Sequence, residues 1–382
     1  MKIRVHTLVA VVITGLWIIP TYSIANNYEF FWMDVGIAPG RTHNTINTTG
    51  QVAVNQVEEE SQSRAARWSR TEQQVLLPDG LSRQNPWSKS AAINNHGSVV
   101  GTIFEDQNQL AIPFIWTREE GIQRLPTLGG EQIAPVDIND HNYVVGWART
   151  PHILFRTVDI NDHNYVVGWT FTPHVQTRAF LWTPDSGIRD LGASSRENSR
   201  ALAVNEHGVI VGFADGRNGR FIPFIWLDET GMQPIDIPSA YRDGGVARDI
   251  NDNGTVIVNL FEERVEGTMH HVLGIPFMWT RENGFIELPL LEDHEDIRAL
   301  EINNKNDVLL MACNGDIPDK NCIEYLVAKG VLVELPQLEE AEQMHYSSIN
   351  DRGWLAGSAF IGDQKKGFIA KPVETAENWD KN

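Results

Sequence analysis

The ten residues "CNGDIPDKNC" hold both cysteines of the chain, Cys313 and Cys322. Two thiolates without a nearby His make half a tetrahedral zinc shell, whereas an even cysteine count in an exported chain suits a disulfide. A second constellation is "DINDNG" (Asp249–Gly254), which opens like a calcium loop. That loop needs a bidentate Glu at its twelfth position, and Leu260 stands there. Related segments carry Asp137 and Asp159 at the first position, but others carry Thr45, Ala92, Ala203 or Ser348. These turns are therefore expected to be structural and to hold no metal. His270–His271 and the run Asp293–Asp296 lack ligand spacing and read as exposed charge. Trp116, Trp182, Trp226 and Trp279 recur in one register and are expected to fill seams between sheets. Trp147, Trp169 and Trp354 fall outside that register and are the better candidates for stacking on a sugar ring. The chain has no nucleophile elbow, HExxH or phosphate loop. No catalytic residue, cofactor or ligand is assigned.

What positions these residues is a repeat. The segment "VDINDHNYVVGW" occurs twice without change, at Val136–Trp147 and Val158–Trp169. Weaker copies place Ile or Val at 46, 93, 138 (again at 160), 204, 250, 302 and 349. The common step is about 46 residues, the length of one propeller blade. Each unit runs from "IN" through a turn to a β-branched run, then to an aromatic strand such as "IPFIW", then past a Gly to a last strand. The turn has Asn first and Gly or Asn last, the residues that adopt positive φ most cheaply; the leading Asn can also cap the turn.

Four strands per unit and seven units predict an all-β fold, a seven-bladed β-propeller over residues 26–372 with a tail over 373–382. The last unit lacks a fourth strand, and "FFWMDVG" (Phe30–Gly36) is expected to supply it beside Lys366–Pro372. One copy of the doubled segment is expected to pair within the third blade and the other to be extruded.

Lys2 and Arg4, the apolar run Leu8–Pro20 and small residues at Ser23 and Ala25 read as a Sec-type export signal cleaved near Ala25. A secreted or periplasmic monomer is expected, with no membrane insertion after cleavage. With 31 Lys and Arg against 50 Asp and Glu, the net charge is −19. That charge disfavours nucleic acid and anionic lipid as partners.

The combination of "SAAINNHGSVVG", "RAFLW" and "RDLG" resembles the HAF-repeat proteins, bacterial exported chains, over nearly the whole of Tyr28 to Pro372. The chain departs at the defining motif, where Arg178 or an Ile-Pro pair replaces His-Ala. The resemblance implies a repeat fold and no particular activity. A non-enzymatic binding or scaffold protein for a protein or glycan partner is expected. The alternative is a polysaccharide hydrolase or lyase, favoured if three or more Asp, Glu, His or Arg side chains converge at one channel mouth.

Overall fold

The computed structural model describes residues 28–33, 45–59, 62–76, 87–105, 110–125, 132–149, 154–171, 177–192, 198–216, 219–241, 243–266, 269–291, 294, 296–313 and 322–373. The expected export signal, Asp34–Gly36 and 374–382 lie outside the described residues, as do the side chains of Trp147, His270 and His271.

The described residues contain strands and turns and no α-helix. After β1 (Tyr28–Trp32) come β2 (Val52–Glu59), β3 (Gln62–Ser69) and β4 (Glu72–Val75), a three-stranded sheet. Next are β5 (Trp87–Ile93), β6 (Val99–Glu105), β7 (Leu110–Thr117) and β8 (Gly121–Arg124), in sequential order. A six-stranded sheet follows: β9 (Gln132–Ile138), β10 (Val144–Arg149), β11 (Leu154–Ile160), β12 (Val166–Phe171), β13 (Thr177–Thr183) and β14 (Gly187–Asp190). Then come β15 (Ser199–Val204), β16 (Ile210–Asp215), β17 (Phe221–Leu227) and β18 (Gly231–Pro234). The next sheet holds β19 (Gly245–Ile250), β20 (Val256–Glu266), β21 (Met269–Thr280) and β22 (Gly284–Glu287). It is followed by β23 (Asp296–Ile302), β24 (Val308–Cys313), β25 (Cys322–Ala328) and β26 (Val331–Glu334). In the last sheet, β27 (Gln343–Ile349), β28 (Leu355–Ile361) and β29 (Gln364–Pro372) are joined by β1, with Tyr28 opposite Pro372 and Trp32 opposite Phe368.

Every pair within a sheet is antiparallel, and both faces of each sheet are apolar because neighbouring sheets pack against them. Ala203, Val211 and Ile225 of one sheet share a buried cluster with Ala247, Val258, Leu260 and Phe277 of the next. Trp116 and Trp226 are buried in such seams, as their register predicted; Trp182 and Trp279 pack at the margins of theirs. The architecture is an all-β propeller.

The expected seven four-stranded blades are not what forms. Five sheets have four strands, one has three, and the doubled segment builds one compound sheet of six. The expectation of an extruded copy also fails. β10 pairs with β11 only at its far end, Trp147 opposite Arg156 through Arg149 opposite Leu154. From there the two hairpins splay, and both "DIN" turns reach the axis.

Each inner strand carries a β-bulge two or three residues before its Asn, as between Ala201 and Ala203 or between Ala299 and Glu301. The bulge presses the strand backbone against its neighbour, which explains the Gly of "VVG". A Cβ on Gly212 would lie 2.0 Å from the Arg200 carbonyl oxygen, and one on Gly168 2.1 Å from that of Arg156. Cys313 and Cys322 are direct cross-strand partners joined by a disulfide, as expected from their positions.

Candidate functional site at the channel axis

The eight "IN" turns meet at one end of the axis. In each, the position three after Asn has positive φ, from 62° at Asn142 to 82° at Gly97, as the Gly/Asn pattern predicted. The Asn side-chain oxygen caps its own turn: Asn47 Oδ1 accepts from the Thr49 and Gln51 amides at 3.1 and 2.9 Å. The same side chain also works outward, which the turn chemistry alone did not reveal. Asn47 Nδ2 donates to the Asn94 carbonyl at 2.9 Å, and Asn94 Nδ2 to that of Asn139 at 2.9 Å. The relay continues through Asn161, Asn205, Asn251, Asn303 and Asn350. It returns to the start when Asn350 Nδ2 donates to the Asn47 carbonyl at 2.7 Å. Eight asparagines form a closed ring, and both copies of the doubled segment contribute to it through Asn139 and Asn161.

A second tier consists of the residue after each Asn. Its side-chain oxygen accepts the amide N–H of the equivalent residue one unit earlier. Asp140 accepts from Asn95 at 2.7 Å, Asp162 from Asp140 at 2.8 Å, Asp252 from Glu206 at 3.0 Å, and Asp351 from Asn304 at 2.8 Å. Glu206 accepts the Asp162 amide on both oxygens at 3.1 Å. Five carboxylates thus converge at one mouth, and they help line a cavity of about 310 Å³. Burial pushes the Glu206 carboxyl up, with the Asp162 and Asp252 charges adding to the shift and the Asp162 amide and His163 opposing it.

The third tier stands two residues before each Asn, where the bulge re-aims the side chain toward the next unit. Asp159 Oδ2 accepts the Val204 amide at 2.8 Å and Asp249 Oδ2 the Ile302 amide at 3.1 Å. Glu301 accepts the Ile349 amide at 2.9 Å and the Ser348 hydroxyl at 3.3 Å. Burial and the neighbouring Asp249 charge push Glu301 up to about 8. Asp249, the carboxylate that opened the calcium-like pattern, therefore links two units; its other oxygen accepts the Ile250 amide at 2.8 Å.

The remaining sequence candidates lie elsewhere. Trp169 is buried between Arg156 and Arg200, whose guanidinium carbons lie 5.8 and 4.7 Å from its ring centroid. Trp354 packs in a seam with Met33, Ile46 and Ile369. Neither is an open sugar platform. From the run Asp293–Asp296, Asp296 binds Arg298 and the Gly274 amide.

No protein-family model matches the chain, and no curated protein does. Among solved structures, the β-propeller domain of the Trilobed protease from Pyrococcus furiosus aligns with a TM-score of 0.51 at 8% identity, covering 90% of this chain and 100% of that one. A Mycobacterium tuberculosis puromycin-hydrolyzing peptidase aligns at 0.43 and 12% identity, over 86% of this chain and 49% of its own. AofleA from Arthrobotrys oligospora aligns at 0.38 and 12%, over 92% and 94%. At 8% identity the first of these likenesses shows the fold alone, a β-propeller.

Proposed function

We propose that the chain is an exported, non-enzymatic propeller of the HAF-repeat type that binds a protein or glycan outside the cytoplasm. The observation that carries this reading is how the axial carboxylates are used. Asp140, Glu206, Asp252 and Asp351 each have both oxygens engaged, by backbone amides or by Asn95 and Asn304 side chains. A general acid or base needs an oxygen within reach of substrate, and these oxygens hold blades together instead. The Cys313–Cys322 disulfide fits an oxidising compartment. The net charge of −19 argues against nucleic acid as the partner.

The second reading, a polysaccharide hydrolase or lyase, has the convergence of those five carboxylates in its favour. Asp162 is its best residue, because among the described residues only one of its oxygens carries an amide contact. Both readings are tested together by incubating the mature chain with a panel of extracellular polysaccharides. Retardation in affinity electrophoresis without new reducing ends or unsaturated products is the expected result. Product formation that disappears in Asp162→Asn would replace the binding reading with the enzymatic one.

A further inference from the structure

The axial strands carry a second recurring chemistry at the end away from the asparagine ring. Five positions before the ring Asn stand Lys89, Arg156, Arg200, Arg298 and His345. They occupy one register, opposite Thr102, Trp169, Phe213, Met311 and Ser358 of the second strands. At about 3.3 Å per residue they lie roughly 15 Å below the asparagine ring. Four of the five belong to the inner edges of their sheets, and Arg156 sits where β10 and β11 begin to splay. The remaining described strands place Ala134 and Val246 there, so no described copy is acidic in a chain with 50 carboxylates against 31 bases.

These cations are oriented without all being neutralised. Arg298 is held by Asp296 and His345 by Glu324. Lys89, Arg156 and Arg200 have no carboxylate partner among the described residues. They are held by rings instead: Lys89 Nζ lies 5.2 Å from the Trp87 centroid, and both arginines flank Trp169. A guanidinium or ammonium stacked on an aromatic face keeps its charge and its outward donors. Trp87 itself stacks on Phe104 at 3.7 Å, giving the cations an apolar neighbour.

We infer that this end of the channel is the binding surface for an acidic glycan, a chain of sugars bearing carboxylates. The inference rests on the reading of the chain as an exported binding protein and names its partner class. Guanidinium groups match carboxylates in a bidentate fork, and aromatic rings beside them suit sugar faces. The field of the acidic chain opposes any polyanion; what favours a uronate over nucleic acid is the match of carboxylates to the guanidinium forks and of sugar faces to the rings beside them.

The experiment measures binding of an oligogalacturonate, a neutral dextran oligosaccharide and a single-stranded DNA by titration at two salt concentrations. The expected result is salt-sensitive uronate binding, no dextran binding and weaker DNA binding. Lys89→Gln with Arg156→Gln should weaken uronate binding about tenfold, while Glu229→Gln, in the exposed turn after β17, leaves it unchanged. Uronate that is not bound, or bound equally by a folded double variant, overturns the proposal. DNA bound as tightly as uronate would mean an unspecific polyanion surface and overturns it too. If the double variant does not unfold cooperatively, the comparison of uronate, dextran and DNA on the parent decides. Cleavage of a bound uronate would instead sink the non-enzymatic reading and leave this surface standing.

Discussion

One side chain decides the axis. Asparagine has both an oxygen that caps its own turn and an amide that reaches the next unit; aspartate keeps the first and loses the second. Asn205→Asp should therefore cost about 1–3 kcal/mol in urea unfolding at neutral pH, more than a cap alone explains. The cost should shrink near pH 4, where a protonated carboxyl can donate to the Asn251 carbonyl. A cost that is the same at both pH values would mean the amide relay contributes nothing. Glu301 gives a prediction of opposite sign. Its folded pKa of about 8 exceeds the ordinary value of 4.5, so the native state holds a proton that the unfolded chain releases. That contribution is complete below about 4.5 and is lost as pH rises through 8. Asp249 and Arg248 are the charged groups acting on it, and Ser348 and Ile349 bond it. Glu301→Gln can accept the Ile349 amide with its oxygen and donate its NH2 to the Ser348 hydroxyl, and it has no proton to lose. It should match the parent near pH 5 and be more stable at pH 9, on the order of 4 kcal/mol. Equal stability at both would overturn the assignment. The sequence marked Asn as a turn residue because its cap is local. Its outward bond joins residues about 46 positions apart, and no local pattern encodes that.

At the level of the hairpin, the repeat was legible because a turn with one left-handed position restricts residue choice to Gly and Asn. What the turn pattern hides is that equal turns meet unequal neighbours. A Cβ on Gly254 would find nothing within 4 Å, whereas one on Gly50 would lie 2.0 Å from the Trp354 ring. Gly254→Asn should be nearly neutral. Gly50→Asn should lose about 2 kcal/mol or more, since the ring must move from its seam. Comparable midpoints for the two variants in thermal unfolding would refute the packing argument. Trp354 shows the same limit from the other side: its position after the turn suggested a ligand contact, but the neighbouring sheet covers it. The disulfide was easier to read, because two cysteines at the end of one strand and the start of the next leave a single hairpin to close. Reducing it should lower stability by about 2 kcal/mol, as reckoned for a short closed loop. Mass spectrometry of unreduced protein should find no free thiol.

For the whole ring, strand periodicity gave the class of fold, but counting four strands per unit misjudged the doubled segment. That count treats a blade as the indivisible part. The axis counts turns instead, and a two-stranded hairpin that supplies an Asn is a complete member of it. β9 and β10 therefore enter as a half-blade, leaning on β11 at one end and holding its own place in the relay at the other. Deleting Val136–Thr157 tests how far the ring tolerates a change of number. The junction would read "QIAPVDIND", the sequence that already forms β9 and its turn, so strand pattern and bulge are preserved. Asn94 would then have to donate to the Asn161 carbonyl in place of that of Asn139. Seven turns around one axis is within the usual range for propellers, and the joined strand of residues 132–135 and 158–160 with β12, β13 and β14 makes an ordinary four-stranded blade. The variant should unfold in a single transition, at a midpoint lowered by the loss of one ring bond and the seam around Val145. The channel should narrow at the same time. Two separated transitions, or none, would show that the eight-membered ring is the unit of cooperativity and that the half-blade has become indispensable to it.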